Sequence, residues 1–147
     1  MYITRFTDYS LRVLIYLAVN PAEKVTIGAI AERYNISKNH LMKVAQTLHN
    51  KGYILATRGK YGGLQLHRSA DDINIGYLMR ELESDCHLVE CFGQDNQCVI
   101  TPGCQLKQML AEALDSFFAT LDKYTLQDLV APEQKNKLTE LLITDIS

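Results

Sequence analysis

Residues 26–66 read T-I-G-A-I-A-E-R-Y-N-I-S-K-N-H-L-M-K-V-A-Q-T-L-H-N-K-G-Y-I-L-A-T-R-G-K-Y-G-G-L-Q-L. Thr26 stands where a helix N-cap belongs, ahead of Ile27, Ile30, Ala31 and Tyr34 on one face. Asn35-Ile36 leaves room only for a tight turn, and Ser37 caps a second helix whose inward stripe is Leu41, Val44, Ala45 and Leu48. Two helices joined this closely form a helix-turn-helix. Between the apolar anchors of the second helix stand Lys38, Asn39, His40, Lys43, Gln46 and Thr47, with no acid among them. A merely solvated face mixes acids in. A face of bases and hydrogen-bonding groups suits a recognition helix whose N-terminal residues meet base edges in the major groove.

The stretch continues as a hairpin. Gly52 ends the helix, Tyr53-Ile54-Leu55 reads as a strand, and Leu64-Gln65-Leu66 returns with period-two alternation. The tip between them, Arg58-Gly59-Lys60-Tyr61-Gly62-Gly63, is glycine-rich and basic. Glycines let a backbone approach phosphates, and arginine is favoured in a narrow minor groove. A glycine hairpin alone is an ordinary surface turn. Directly after a helix-turn-helix it reads as a wing, with Arg58, Gly59 and Lys60 facing nucleic acid.

Charge supports that placement. The net of -2 conceals ten Lys or Arg against three Asp or Glu in residues 1–68, and five against fourteen in residues 69–147. From Arg33 to Arg68 there is no acidic residue at all. Such a stretch is the footprint of a surface that meets phosphates.

Around this module the pattern is helical. Thr7 and Asp8 occupy the places of an N-cap and a first-turn acid for a helix carrying Tyr9, Leu11, Val13, Leu14, Ile15, Leu17 and Ala18, apolar nearly all round and so buried on more than one side. Asn74 caps another helix, with Ile75, Leu78, Met79 and Leu82 in helical spacing. Beyond a cysteine-bearing loop, Thr101-Pro102 is expected to open a long helix striped by Leu106, Met109, Leu110, Ala113, Leu114, Phe117, Phe118 and Leu121. So wide a stripe needs a partner, and crossing with its copy in a two-fold homodimer supplies one. Thr125 with Asp128 starts a short further turn that Pro132 should end, and the residues after it are expected to fray or to make a weak dimer contact.

The loop itself is C-F-G-Q-D-N-Q-C-V-I-T-P-G-C over 91–104. Its cysteines lie wider apart than the C-x-x-C pairs of structural zinc sites. A cluster of several irons spreads its thiolate ligands further than one tetrahedral ion, so Cys91, Cys98 and Cys104 read as iron-sulfur ligands. Three unligated thiols are the plain alternative. With no apolar run long enough to span a membrane and no signal-peptide core expected in Met-Tyr-Ile-Thr-Arg-Phe-Thr-Asp, we expect a cytoplasmic protein, where reduced thiols disfavour disulfides among Cys86, Cys91, Cys98 and Cys104. No C-x-x-C or nucleotide-binding fingerprint suggests an enzyme.

The expected architecture is therefore mainly α with a small β-hairpin. It comprises a winged helix-turn-helix DNA-binding domain (1–83), a cysteine-containing cluster loop (84–104), a long dimerisation helix with a short following turn (104–131) and a C-terminal tail (132–147).

This combination resembles the bacterial iron-sulfur winged-helix regulators, the family that includes IscR. The likeness is carried by Phe6-Thr7-Asp8-Tyr9 with Leu11-Arg12, by Ser37-Lys38-Asn39-His40-Leu41, by the wing tip 58–63, by the three cysteines with Cys98-Val99-Ile100-Thr101-Pro102-Gly103-Cys104, and by Tyr124-Thr125-Leu126-Gln127-Asp128-Leu129-Val130. The last two stretches look most like the nitric-oxide-sensing repressors of that family. In the IscR branch, which governs cluster assembly, a histidine ligand follows the last cysteine by three residues; here that position is Lys107. The resemblance to the nitric-oxide-sensing branch implies one cluster per subunit, four-iron with a two-iron cluster as the alternative. Its fourth ligand would be Asp8 of the partner subunit, with Cys86 and His87 as rivals. It further implies a homodimer that represses from a palindromic operator and releases it when nitric oxide nitrosylates the cluster, so that nitrosative-stress genes are expressed. An IscR-like regulator of cluster assembly and a zinc-bound, non-sensing DNA-binding module are the other readings.

Overall fold

A computed structural model describes residues 2–143; Met1 and residues 144–147, the end of the expected tail, lie outside the described residues. The chain runs α1 (Arg5–Val19), α2 (Ile27–Tyr34), α3 (Lys38–Asn50), β1 (Ile54–Thr57), β2 (Gly63–Leu66), α4 (Ile75–Leu82), α5 (Gln105–Leu121), α6 (Leu126–Leu129) and α7 (Pro132–Leu142). The winged helix-turn-helix is present with a two-stranded antiparallel hairpin, pairing Ile54 with Leu66 and Thr57 with Gly63.

Helix α1 is the hub. Val13, Leu14 and Leu17 are buried, and α3, α4, α6, α7 and β2 all pack against the helix. Its cap is Thr4 rather than Thr7: the Thr4 hydroxyl accepts from the Thr7 amide at 3.3 Å, and Thr7 itself is fully buried. The expected cap Thr7 is packed inside, and the exposed Thr4 three residues earlier does the capping.

Thr26 and Ser37 cap α2 and α3 by accepting from Ala29 and His40 amides. Asn35 between them takes a left-handed conformation, φ 55°, which asparagine tolerates better than most residues. Leu41, Val44, Ala45 and Leu48 are all buried, and each large side chain among them contributes roughly 1.5–3 kcal/mol by leaving water. The wing turns through Gly59 at φ 104°, where a side chain would be strained. A third short segment pairs with it, since Val25 and Leu64 exchange backbone hydrogen bonds of 2.9 and 2.7 Å.

Asn74 caps α4, whose Ile75, Leu78, Met79 and Leu82 are buried. Gly76 lets the end of α5 approach so closely that any side chain there would run into Asp122. Arg80 grips the same Asp122 with its two terminal guanidinium nitrogens and lies 4.8 Å from the Phe118 ring. The long helix is thereby fastened to the winged domain at its far end, and Leu114 in its middle also packs against the core.

Two expectations are corrected here. Thr101-Pro102 does not open α5: Thr101–Gly103 is a separate 3-10 turn, and the helix starts at Gln105 with Cys104 in the capping position. The turn that proline began stops after Gly103, where Cys104 takes an extended conformation, φ -89° and ψ 115°. Pro132 does not end a turn either; it is the first residue of α7, a position where its missing N–H is no loss. Up to Leu142 the expected frayed tail is this helix. It packs on α1, where the Tyr16 hydroxyl donates to the Leu142 carbonyl at 3.4 Å and Arg33 donates to that of Leu141 at 2.7 Å.

Candidate nucleic-acid interface and cysteine loop

Helix α3 and the wing present the basic face. Ser37, Lys38, Asn39 and Lys43 are exposed, as are Arg58, Gly59 and Lys60. A groove of about 320 Å³ runs between the start of α2, Lys38 and the wing, lined also by Gly59 and Gly62. His40 differs from its neighbours. It is half-buried, and its ring meets that of Tyr9 edge-on at 4.8 Å, so it joins the recognition helix to α1.

From Tyr9 a connected set of contacts leads to Asp8. The Asp8 carboxylate accepts from Arg12 at both oxygens, 3.2 and 2.9 Å, an i to i+4 fork on the first turns of α1. The Arg12 guanidinium lies 5.4 Å from the Tyr9 ring and 5.9 Å from that of Tyr34. Burial pushes the Tyr34 phenol up to about 12, so it stays a donor, to the Arg12 carbonyl at 2.9 Å. Asp8, Arg12, Tyr9 and His40 thus touch in sequence. Sequence reasoning named the two ends and missed the middle, although the Asp8–Arg12 spacing was open to reading.

The cysteine loop is built differently. Between Leu82 and Gln105 the regular structure is two 3-10 turns, Glu90–Phe92 and Thr101–Gly103. Asn96 organises the stretch around Cys98: its side chain accepts from the Cys98 amide at 3.0 Å and donates to the Thr101 hydroxyl at 2.9 Å, which in turn donates to the Cys98 carbonyl at 2.8 Å. This cradle leaves Cys98 exposed, with Cys91 and Cys104 half-buried and all three unbonded to one another. Cys104 sits at the start of α5, where helix amides favour negative charge.

Among the described residues no three His, Cys, Asp or Glu side chains lie close enough together to hold a metal ion. By its chemistry the donor set nevertheless fits a thiophilic centre: three free thiols lie within fourteen residues of one largely irregular segment. The candidates for a fourth position are all engaged, Asp8 by Arg12 and its two rivals by neighbours in the loop. Cys86 donates to the Glu83 carbonyl, and burial, reinforced by Glu83 and Asp85, pushes its thiol up and so disfavours the thiolate that binds metal. His87 pairs with Asp85 at 2.8 Å. Glu83 also ties the loop's entrance to α1 by accepting from the Thr4 amide and hydroxyl at 2.8 and 3.0 Å. Nothing in the sequence spacing of residues 4 and 83 announces that bond.

A helix-turn-helix with a wing, a cysteine loop and a long trailing helix places the chain among winged-helix transcriptional regulators. The chain belongs to the Rrf2 family, described as iron-dependent transcriptional regulators, whose model matches residues 3–132. It is 51% identical over 144 residues to the HTH-type transcriptional regulator NsrR of Bacillus subtilis, covering 97% of each chain. It is 50% identical over 132 residues to the NsrR of Bacillus licheniformis, covering 88% of this chain and 92% of the relative. Among solved structures, the oxidized form of Staphylococcus aureus CymR superposes with a TM-score of 0.73 at 28% identity, over 89% of this chain and 97% of that one. These relatives are regulators, and the chain is not an enzyme.

Proposed function

We propose that this chain is a homodimeric repressor that binds a palindromic operator and releases it on exposure to nitric oxide, through an iron-sulfur cluster of the four-iron type. Cys91, Cys98 and Cys104 would hold the cluster, with Asp8 of the partner subunit completing it. The cluster would supply iron that reacts with nitric oxide. Everything else falls to the chain's own side chains. Ser37, Lys38, Asn39 and His40 meet base edges or position α3, His40 through its contact with Tyr9; Lys43, Arg58, Gly59 and Lys60 meet phosphates and the groove floor. The exposed apolar side chains Leu106 and Met109 of α5 fit a helix that crosses its copy.

The observation that carries the reading is the run of contacts from Asp8 to His40. Asp8 has two alternative uses: on Arg12 within its own helix, or as a ligand across the dimer. The choice decides whether Arg12 keeps its fork, and Arg12 leans on Tyr9, which packs against the recognition helix. A carboxylate with two competing partners is a two-state element that DNA and the loop can both bias.

The test is purification without oxygen, followed by iron and acid-labile sulfide analysis, absorption spectroscopy, and nitric-oxide titration with operator binding read in parallel. Iron with sulfide, and operator release that tracks loss of the absorption, is the expected result. Zinc without sulfide, or release with no change in absorption, overturns the proposal.

A further inference from the structure

The outer stripe of α3 carries one side chain that does not belong to a phosphate-binding face. Among the large apolar side chains of this helix, Leu41, Val44 and Leu48 are buried, whereas Met42 is 49% exposed. Helical spacing sets it beside Asn39 at i−3 and Gln46 at i+4, with Lys43 adjoining, on the acid-free face. Met42 can donate no hydrogen bond, and its thioether is only a weak acceptor. The apolar feature that B-DNA presents in the major groove is the 5-methyl group of thymine. An unbranched, polarisable methionine adapts well to such a partner.

Resting on the DNA-binding reading above, we infer that Met42 is a specificity-determining residue that reads thymine in each operator half-site through its 5-methyl group. Gln46 completes the reading surface, with its amide nitrogen committed to Asn50 at 2.9 Å and its oxygen on the same stripe. Asn39 supplies the hydrogen bonds that methionine cannot. The operator should therefore contain, at one fixed place in each half-site, a thymine whose methyl matters more than its hydrogen-bonding edge.

The experiment uses the full-length chain and duplexes it selects from a random-sequence pool. Binding is compared between a selected duplex and the same duplex with deoxyuridine at each thymine in turn, which removes one methyl and keeps base pairing. At the position that Met42 reads, wild-type affinity falls about fourfold per half-site, the equivalent of about 0.8 kcal/mol for one buried methyl. Met42→Ala, verified as folded by its unfolding midpoint, binds both duplexes equally, and Met42→Leu restores the preference for thymine. Wild type indifferent to deoxyuridine at every position, or Met42→Ala with an undiminished preference, overturns the inference and leaves the DNA-binding reading standing. A wild-type protein that selects no duplex at all overturns both.

Discussion

The winged domain and the cysteine loop are two ways of building a segment. In the first 68 residues nearly every apolar anchor is buried: Leu14 and Leu17 of α1, Leu41, Val44 and Leu48 of α3, and Tyr53 and Ile54 where β1 begins, with α1 packed against α3. In residues 84–104 the chain is held by short-range bonds such as those around Asn96, while Val99 is 91% and Ile100 61% exposed. The first region has a core, which α4, α6 and α7 complete from outside it. The second has donors but no core, which is the condition of a segment whose final structure depends on something that binds it.

The largest effect should come from the loop's chemistry and leave the domain alone. Replacing Cys91, Cys98 and Cys104 together by serine is expected to abolish bound iron, measured on protein prepared without oxygen. With iron absent from both proteins, the triple variant should keep its unfolding free energy within about 0.5 kcal/mol of wild type by urea titration. The reciprocal change is Leu48→Ala. Loss of that fully buried side chain should cost about 2–5 kcal/mol and weaken DNA binding by unfolding α3.

Next come the contacts of the wing. Arg58→Ala should weaken operator binding by about 1–3 kcal/mol if the arginine reads a base or the minor groove, whereas loss of a pure phosphate contact at Lys60 should lower the salt slope by about one unit. Normal binding by the Arg58 variant would remove the wing from the interface. Asp8→Ala sits between the two regions. It deletes a half-exposed i to i+4 pair, so it should cost only about 0.3–0.5 kcal/mol of stability. Its effect on the response to nitric oxide should be far larger than that, seen as operator affinity that no longer follows the state of the loop.

The smallest effect concerns the joint between α4 and α5. Arg80, by donating hydrogen bonds to Asp122, holds that carboxyl below its usual range. A lowered folded-state value means that the contribution is present above the ordinary aspartate range near pH 3.9 and disappears as pH falls through the lowered value. The difference in urea midpoint between wild type and Asp122→Asn should accordingly be visible at neutral pH and vanish in acid.

How legible each region was follows from the same contrast. The caps Thr26, Ser37 and Asn74, the buried stripes of α3 and α4, and the basic hairpin could all be read because local rules and tertiary packing agree there. The break at Gly103, the helix begun by Pro132 and the bond from Glu83 to Thr4 could not. They depend on which distant element a segment meets, and α7 is a helix because it lies on α1 and is held at its end by Tyr16 and Arg33. In the loop the cysteines themselves were legible by residue type. Where the three thiols lie relative to one another was not, because no fixed spacing in a coreless segment states it.

The most direct test of this contrast is amide hydrogen exchange on protein loaded with iron and sulfide and on the same protein depleted of both. Amides across 91–104 should become strongly protected on loading, while those of Leu41, Val44 and Leu48 in α3 exchange equally slowly in both forms. Equal protection of the loop with and without the metal, or loss of protection throughout α3 on depletion, would contradict the account.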